Sequence, residues 1–79
     1  MKRQELLRQF DDDLLDKLFG FCYVRTNDSY EAQELCSDIV FALVRAVHTD
    51  GEITNLYSFI WRVARNVYAD FSNNRRKYV

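Results

Sequence analysis

A chain of 79 residues makes one domain, and at this size only a little over roughly 60% of the unfolded surface is buried. The core is therefore small, and an enclosed catalytic cavity is not expected. An apolar fraction of 48% beside 29% charged residues is ordinary for a soluble globular protein, and no stretch reads as a signal peptide or membrane span.

The formal net charge of -1 hides an asymmetry: residues 1–50 carry six Lys/Arg against ten Asp/Glu, and residues 51–79 carry five against two. Nucleic acid would meet the C-terminal part, and a basic or hydrophobic protein partner the acidic N-terminal part. The lack of proline, with only two glycines, favours long helices. The expected fold is all-α: a compact bundle of three main helices in a single domain over residues 1–79, with room for a short extra helix at the N-terminus.

Leu6, Phe10, Leu14, Leu18 and Cys22 repeat every four residues, the signature of one buried helical stripe. Asp11, Asp12 and Asp13 are N-cap candidates inside it, so this part reads as two short helices or one interrupted helix ending near Arg25. Asn27 or Asp28 then caps a second helix, and Glu31, three residues after Asp28, completes a capping-box-like arrangement. Ala32, Leu35, Cys36, Ile39, Leu43 and Val47 form its buried stripe. On its outward side Glu34, Asp38, Phe41 and Arg45 follow one another at spacings of four, three and four. An aromatic ring within a charged stripe fits a protein-docking patch, or the edge of the core.

Thr49, Asp50, Gly51 and Glu52 break the pattern with turn-forming residues. After a loop of about six residues, Thr54 or Asn55 caps a third helix running to about Asn74. There Leu56, Ile60, Val63 and Val67 make an apolar stripe expected to face the core. Tyr57, Trp61, Ala64 and Tyr68 make a second, displaced by about 100° around the axis. Arg62, Arg65, Asn66, Asn73, Arg75, Arg76 and Lys77 fill the remainder with hydrogen-bond donors and positive charge suited to phosphates and base edges. Aromatic rings beside such donors can stack on unpaired bases. More ordinarily, and favoured on pattern alone, the rings complete the core of a small helical domain.

Cys22 and Cys36 are too few for a disulfide framework, and with His48 they give no metal spacing. Both cysteines lie in apolar helical patterns and read as buried structural thiols in a reducing cytoplasm; His48 reads as marking a helix end. No nucleophile, base and orienting group occur together at recognisable spacing. The chain is therefore expected to be no enzyme and to need no cofactor.

The run EAQELCSDIVFALV followed by FIWRVARNVYADF resembles region 2 of bacterial sigma-70 family factors, particularly the extracytoplasmic-function (ECF) group, over roughly residues 12–77. That family carries an acidic-Leu-X-Gln-Glu pattern on its second helix. On its third it carries Trp-Leu-X-X-Ile-Ala-X-Asn followed four residues later by Asp. Here the corresponding residues are Glu34-Leu35-Cys36-Ser37-Asp38, then Phe59 through Asn66, then Asp70.

The resemblance implies that the second helix docks on the clamp helices of the RNA polymerase β′ subunit through Glu34, Ser37, Asp38 and Phe41. It implies that the loop at Thr49–Asn55 and the third helix recognise the minus-ten promoter element, with Phe59, Arg62, Asn66, Arg75, Arg76 and Lys77 the positions carried over; Asp50, Gly51 and Asn55 of the loop and the donors Arg65 and Asn73 join them as candidate DNA contacts. That element would be read chiefly as separated non-template strand with a flipped base. Unstacking a base costs a few kcal/mol, which aromatic and polar contacts must offset. An anti-sigma protein is a further implied partner, and the implied setting is the cytoplasm, with no membrane.

Two positions depart from the family pattern. Ser37 stands for the expected glutamine and is too short to reach as far, leaving more of the polymerase contact to Asp38 and Glu34. Phe59 stands for the expected tryptophan, and Trp61 lies about 200° away around the helix, so it cannot replace that ring. Region 4, the second DNA-binding domain of complete factors, is absent from these residues, as expected of an excised domain or a short factor. The competing readings are a helical protein-binding adaptor with Phe41 and Trp61 as hot spots, and a conventional duplex-binding helix-turn-helix, for which helices of this length are too long.

Overall fold

Local chemistry sets the three helix starts. The computed structural model describes residue 8 and residues 10–49 and 53–76, the side chains of Arg75 and Arg76 excepted. Within them α1 spans Asp12–Thr26, α2 spans Ser29–Thr49 and α3 spans Leu56–Arg76. The expected all-α bundle of three main helices is what forms; the extra N-terminal helix falls largely outside the described residues.

Each start is closed by a short polar side chain taking up an amide that the helix leaves unpaired. The N–H of Leu14 donates to Asp11 Oδ1 at 2.9 Å, that of Glu31 to Asp28 Oδ1 at 3.0 Å, and that of Ser58 to Asn55 Oδ1 at 3.1 Å. Asn27 therefore does not cap α2. It ends α1 instead, in the left-handed conformation (φ 54, ψ 32), with its N–H donating to the Tyr23 carbonyl at 2.7 Å. After glycine, asparagine is the residue that best tolerates this geometry. Because Asp28 is exposed and its role is confined to the cap, Asp28→Ala is expected to cost about 1 kcal/mol. Chemical denaturation measures it, and an unchanged midpoint would show the cap to be idle.

The middle element is α2, which packs on both α1 and α3. Ala32, Leu35, Ile39, Leu43 and Val47 are buried along it, facing Leu18 and Cys22 of α1 and Phe59, Ile60 and Ala64 of α3. Ile53, in the loop before α3, closes the same core. Cys36, assigned to the buried stripe from its spacing, is only partly buried.

The stripe on α3 differs from expectation. Ile60 and Ala64 are fully packed, one from each of the two predicted stripes, while Leu56, Val63 and Val67 are only half-buried. The line of closest approach to α2 runs between the two stripes, so each flanks the core instead of one filling it. On one flank α1 takes up the rings: Phe21 and Trp61 pack with centroids 5.4 Å apart. The Arg25 guanidinium lies 3.6 Å from the Phe21 ring centre and 5.7 Å from that of Tyr68, donating also to the Phe21 carbonyl. Trp61 thus seals α3 against α1, a role its spacing alone does not reveal.

Candidate functional site

Two outward faces carry the predicted site residues. On α2, Glu34, Ser37, Asp38 and Phe41 are all exposed, and helical geometry places them with Arg45 within a sector of about 100°. Phe41 is 65% exposed, with the Arg45 guanidinium 5.8 Å from its ring centre. An aromatic ring left this open on the middle helix serves no core, and it is steadied by a cation over its face.

Beside the ring a shallow apolar groove of about 440 Å³ runs between α1 and α2, lined by Leu15, Cys36, Ser37, Val40, Phe41 and Val44. Two further residues belong to this surface although the motif did not single them out. Leu15 forms the α1 wall of the groove. Tyr30, four residues before Glu34 and 78% exposed, extends the face by one turn; its i−4 spacing from Glu34 was the available signal.

On α3, Arg62, Arg65, Asn66 and Asn73 are exposed and lie within about 60° either side of one line along the helix. They point away from Ile60 and Ala64, which are buried on the opposite side. With Arg62 and Arg65 this face presents two guanidinium forks and two amides, a set of donors that binds phosphate oxygens and base edges. Asn55 sits at its N-terminal end, exposed, with its side-chain oxygen engaged as the α3 cap.

Phe59 is not part of the exposed surface. It is 8% exposed and belongs to the core, with the Arg62 guanidinium 5.8 Å from its ring centre. Asp50, Gly51 and Lys77, and the side chains of Arg75 and Arg76, lie outside the described residues.

The rings and the donors of α3 are therefore separated. Phe59 is buried, Trp61, Tyr68 and Phe71 are half-buried against the core, and the arginine and amide side chains face outward. Tyr57 is the α3 ring that stays open, at 70% exposure. It sits edge-on to Trp61 at 6.1 Å, beside the start of α1 in a second groove that includes Leu14 and Lys17, on the side of α3 away from Arg62 and Asn66.

Among the described residues no buried side chain is polar or charged, and no group of three His, Cys, Asp or Glu residues could hold a metal ion. No described helix is long and apolar enough to cross a membrane. The Lys17–Asp13 ion pair, at 3.1 Å on the surface of α1, is the kind of exposed pair that contributes little to stability.

Compared with known proteins, the chain finds no match among curated proteins or among solved structures. A family model described as Sigma-70 region 2 matches residues 10–78, a span that includes all three helices and both outward faces. The chain belongs to the sigma-70 region 2 family, a non-enzymatic domain that works with core RNA polymerase and promoter DNA in the initiation of transcription.

Proposed function

We propose that this domain is region 2 of an ECF-type sigma factor that divides its work between its two outward faces. Exposed α2 residues Glu34, Ser37, Asp38 and Phe41 dock on the β′ clamp helices of RNA polymerase. The α3 face, with the loop at residues 50–55, holds the separated non-template strand of the minus-ten element. The observation that carries this reading is the family match across residues 10–78. It is supported by an aromatic ring left open among acidic side chains on one helix and a donor-rich face on the next.

The separation of rings from donors refines how DNA is held. Arg62, Arg65, Asn66 and Asn73 supply charge and hydrogen bonds to phosphates and base edges. Phe59 acts from beneath, seating the Arg62 guanidinium over its ring. Base capture falls to the loop, where Asp50 and Gly51 lie, and the basic end at Arg75, Arg76 and Lys77 adds backbone attraction. Binding energy drives strand separation, since flipping a base costs only a few kcal/mol. An anti-sigma protein that covers the Phe41 face would hold the domain inactive in the cytoplasm.

The test titrates the purified chain against a β′ clamp-helix fragment and, separately, against single-stranded minus-ten DNA at several salt concentrations. Asp38→Arg is expected to weaken the fragment at least about tenfold, since it places a like charge or removes an opposite one at a charged rim, and to leave DNA binding unchanged. Arg62→Ala with Arg65→Ala is expected to lower the salt dependence of DNA binding by up to about two phosphate contacts and to leave the fragment unaffected. Loss of both activities in one variant would mean the faces are not separate. Equal fragment affinity for the wild type and Asp38→Arg would remove the docking assignment.

A further inference from the structure

The last turn of α1 brings a guanidinium to the edge of α3. Arg25 is held by three contacts: its guanidinium lies 3.6 Å from the Phe21 ring centre and 5.7 Å from that of Tyr68, and Nη1 donates to the Phe21 carbonyl at 3.2 Å. The side chain nevertheless stays exposed. A guanidinium carries five N–H donors in a fixed fork, so one bond to a carbonyl leaves most of the fork open. Any cation in the last turn of a helix suits the helix dipole, and a lysine would serve that purpose as well. Stacking on a ring while presenting a planar fork is what arginine adds.

Arg65 approaches the same place from α3. It lies one turn after Trp61 and one turn before Tyr68, about 40° and 60° around the axis from them, and it is exposed. Side chains three apart on a helix are neighbours, about 5–6 Å between Cβ atoms, so Arg65 flanks Tyr68 on α3 while Arg25 meets the Tyr68 ring from α1. Among the described residues no carboxylate pairs with either arginine. The next carboxylate along the chain from Arg25 is Asp28, whose Oδ1 is taken by the Glu31 amide. Two cations converging without a counter-ion make a local positive field that attracts an anion.

We propose that Arg25 and Arg65 hold one backbone phosphate of the DNA single strand between them beside Tyr68, so that the DNA-binding surface continues from α3 onto α1. The proposal rests on the reading of α3 as the DNA face. Arg62, Arg65 and Tyr68 follow one another around α3 in steps of about 60°, and Arg25 takes up the path where α3 turns toward the core. Arginine forks grip phosphate oxygens in pairs. Because Phe21, Tyr68 and a carbonyl already order the Arg25 side chain, binding sacrifices less of its rotamer freedom. A contact of this kind reads no sequence; it fixes the register of the strand on the protein.

The test measures binding of the full chain to a labelled minus-ten single strand by fluorescence anisotropy at several salt concentrations. Arg25→Gln is expected to lower affinity about threefold to tenfold at low salt and to reduce the slope of log affinity against log salt by about 0.7, the single-strand value for one phosphate. Arg25→Lys, which keeps the charge and loses the fork, should retain the wild-type slope with weaker binding. In the Arg65→Ala background Arg25→Gln should cost under about twofold, because the two arginines share one phosphate. Should Arg25→Gln fail to fold, the side-chain Nε–H resonance of Arg25 in isotope-labelled wild type decides, and it is expected to shift when the strand is added.

An unchanged salt slope in folded Arg25→Gln, or an Arg25 resonance indifferent to the strand, would overturn the contact and leave Arg25 as packing between α1 and α3. Full additivity of Arg25→Gln and Arg65→Ala would overturn the shared phosphate. These results are distinct from failure of the underlying reading: in that case the wild type itself would show no salt-dependent binding, and the contact would fall with it.

Discussion

Replacing Ile39 by alanine is expected to lower the stability of this domain by about 2–5 kcal/mol. The side chain has no exposed surface, and it sits at the middle of α2, the helix that packs on both of its neighbours. Removing three carbons there opens a space that neither α1 nor α3 can close without losing contact with Leu35 or Leu43, which are buried one turn to either side. A domain of this size has a total stability of only about 4–12 kcal/mol at the usual ~0.05–0.15 kcal/mol per residue. The substitution therefore removes a large part of it, and the melting temperature should fall by about 10 °C or more. Thermal and urea unfolding followed by far-UV circular dichroism measure this. A change under about 0.5 kcal/mol, typical of surface sites, would mean that the α2 midline is not the centre of the core.

Phe41→Ala, two residues further along the same helix, should do the reverse. The ring is mostly exposed and contacts the Arg45 guanidinium, so its loss should shift stability by no more than about 0.5 kcal/mol. Its affinity for a β′ clamp-helix fragment should fall at least about thirtyfold, the ~2 kcal/mol that marks an anchoring residue. A large aromatic beside an apolar groove, rimmed by Glu34 and Asp38, is the arrangement in which one side chain dominates an interface while the charges around it steer and orient. Calorimetric titration of the folded variant decides it. Unchanged affinity would place the polymerase contact elsewhere on the surface, while a loss of stability comparable to that of Ile39→Ala would show the ring to be part of the core after all. The two variants together separate folding from docking on a single helix.

The helices themselves were written in local chemistry. Asp11, Asp28 and Asn55 accept from the third amide that follows each of them, and a capping side chain needs no distant partner to do so. The stripe on α2 was legible because one helix face with five regularly spaced apolar residues has few other ways to leave water. The exposure of Glu34, Ser37, Asp38 and Phe41, and of Arg62, Arg65, Asn66 and Asn73, follows from being on the other side of those stripes.

What the sequence left open was every feature that depends on where a second helix lies. Periodicity states which residues share a face of α3. It does not state which line on that face sits over α2, because two apolar stripes about 100° apart are equally compatible with either. The packing of side-chain ridges decides this, and it set Ile60 and Ala64 under α2, Trp61 and Tyr68 beside Phe21 and Arg25 of α1, and Phe59 in the core beneath Arg62. For the same reason the aromatic and basic side chains of residues 58–77, adjacent in the chain, part company in space. Cys22 and Cys36 belong to different stripes fourteen positions apart, and it is the docking of α1 on α2 that leaves Cys22 fully buried and Cys36 at the groove between them. Local sequence determined the helices, their caps and their polar faces, since those depend on interactions within a turn or two; the tertiary structure decided which rings are core and which side chains meet, since those depend on the rotation and placement of whole helices.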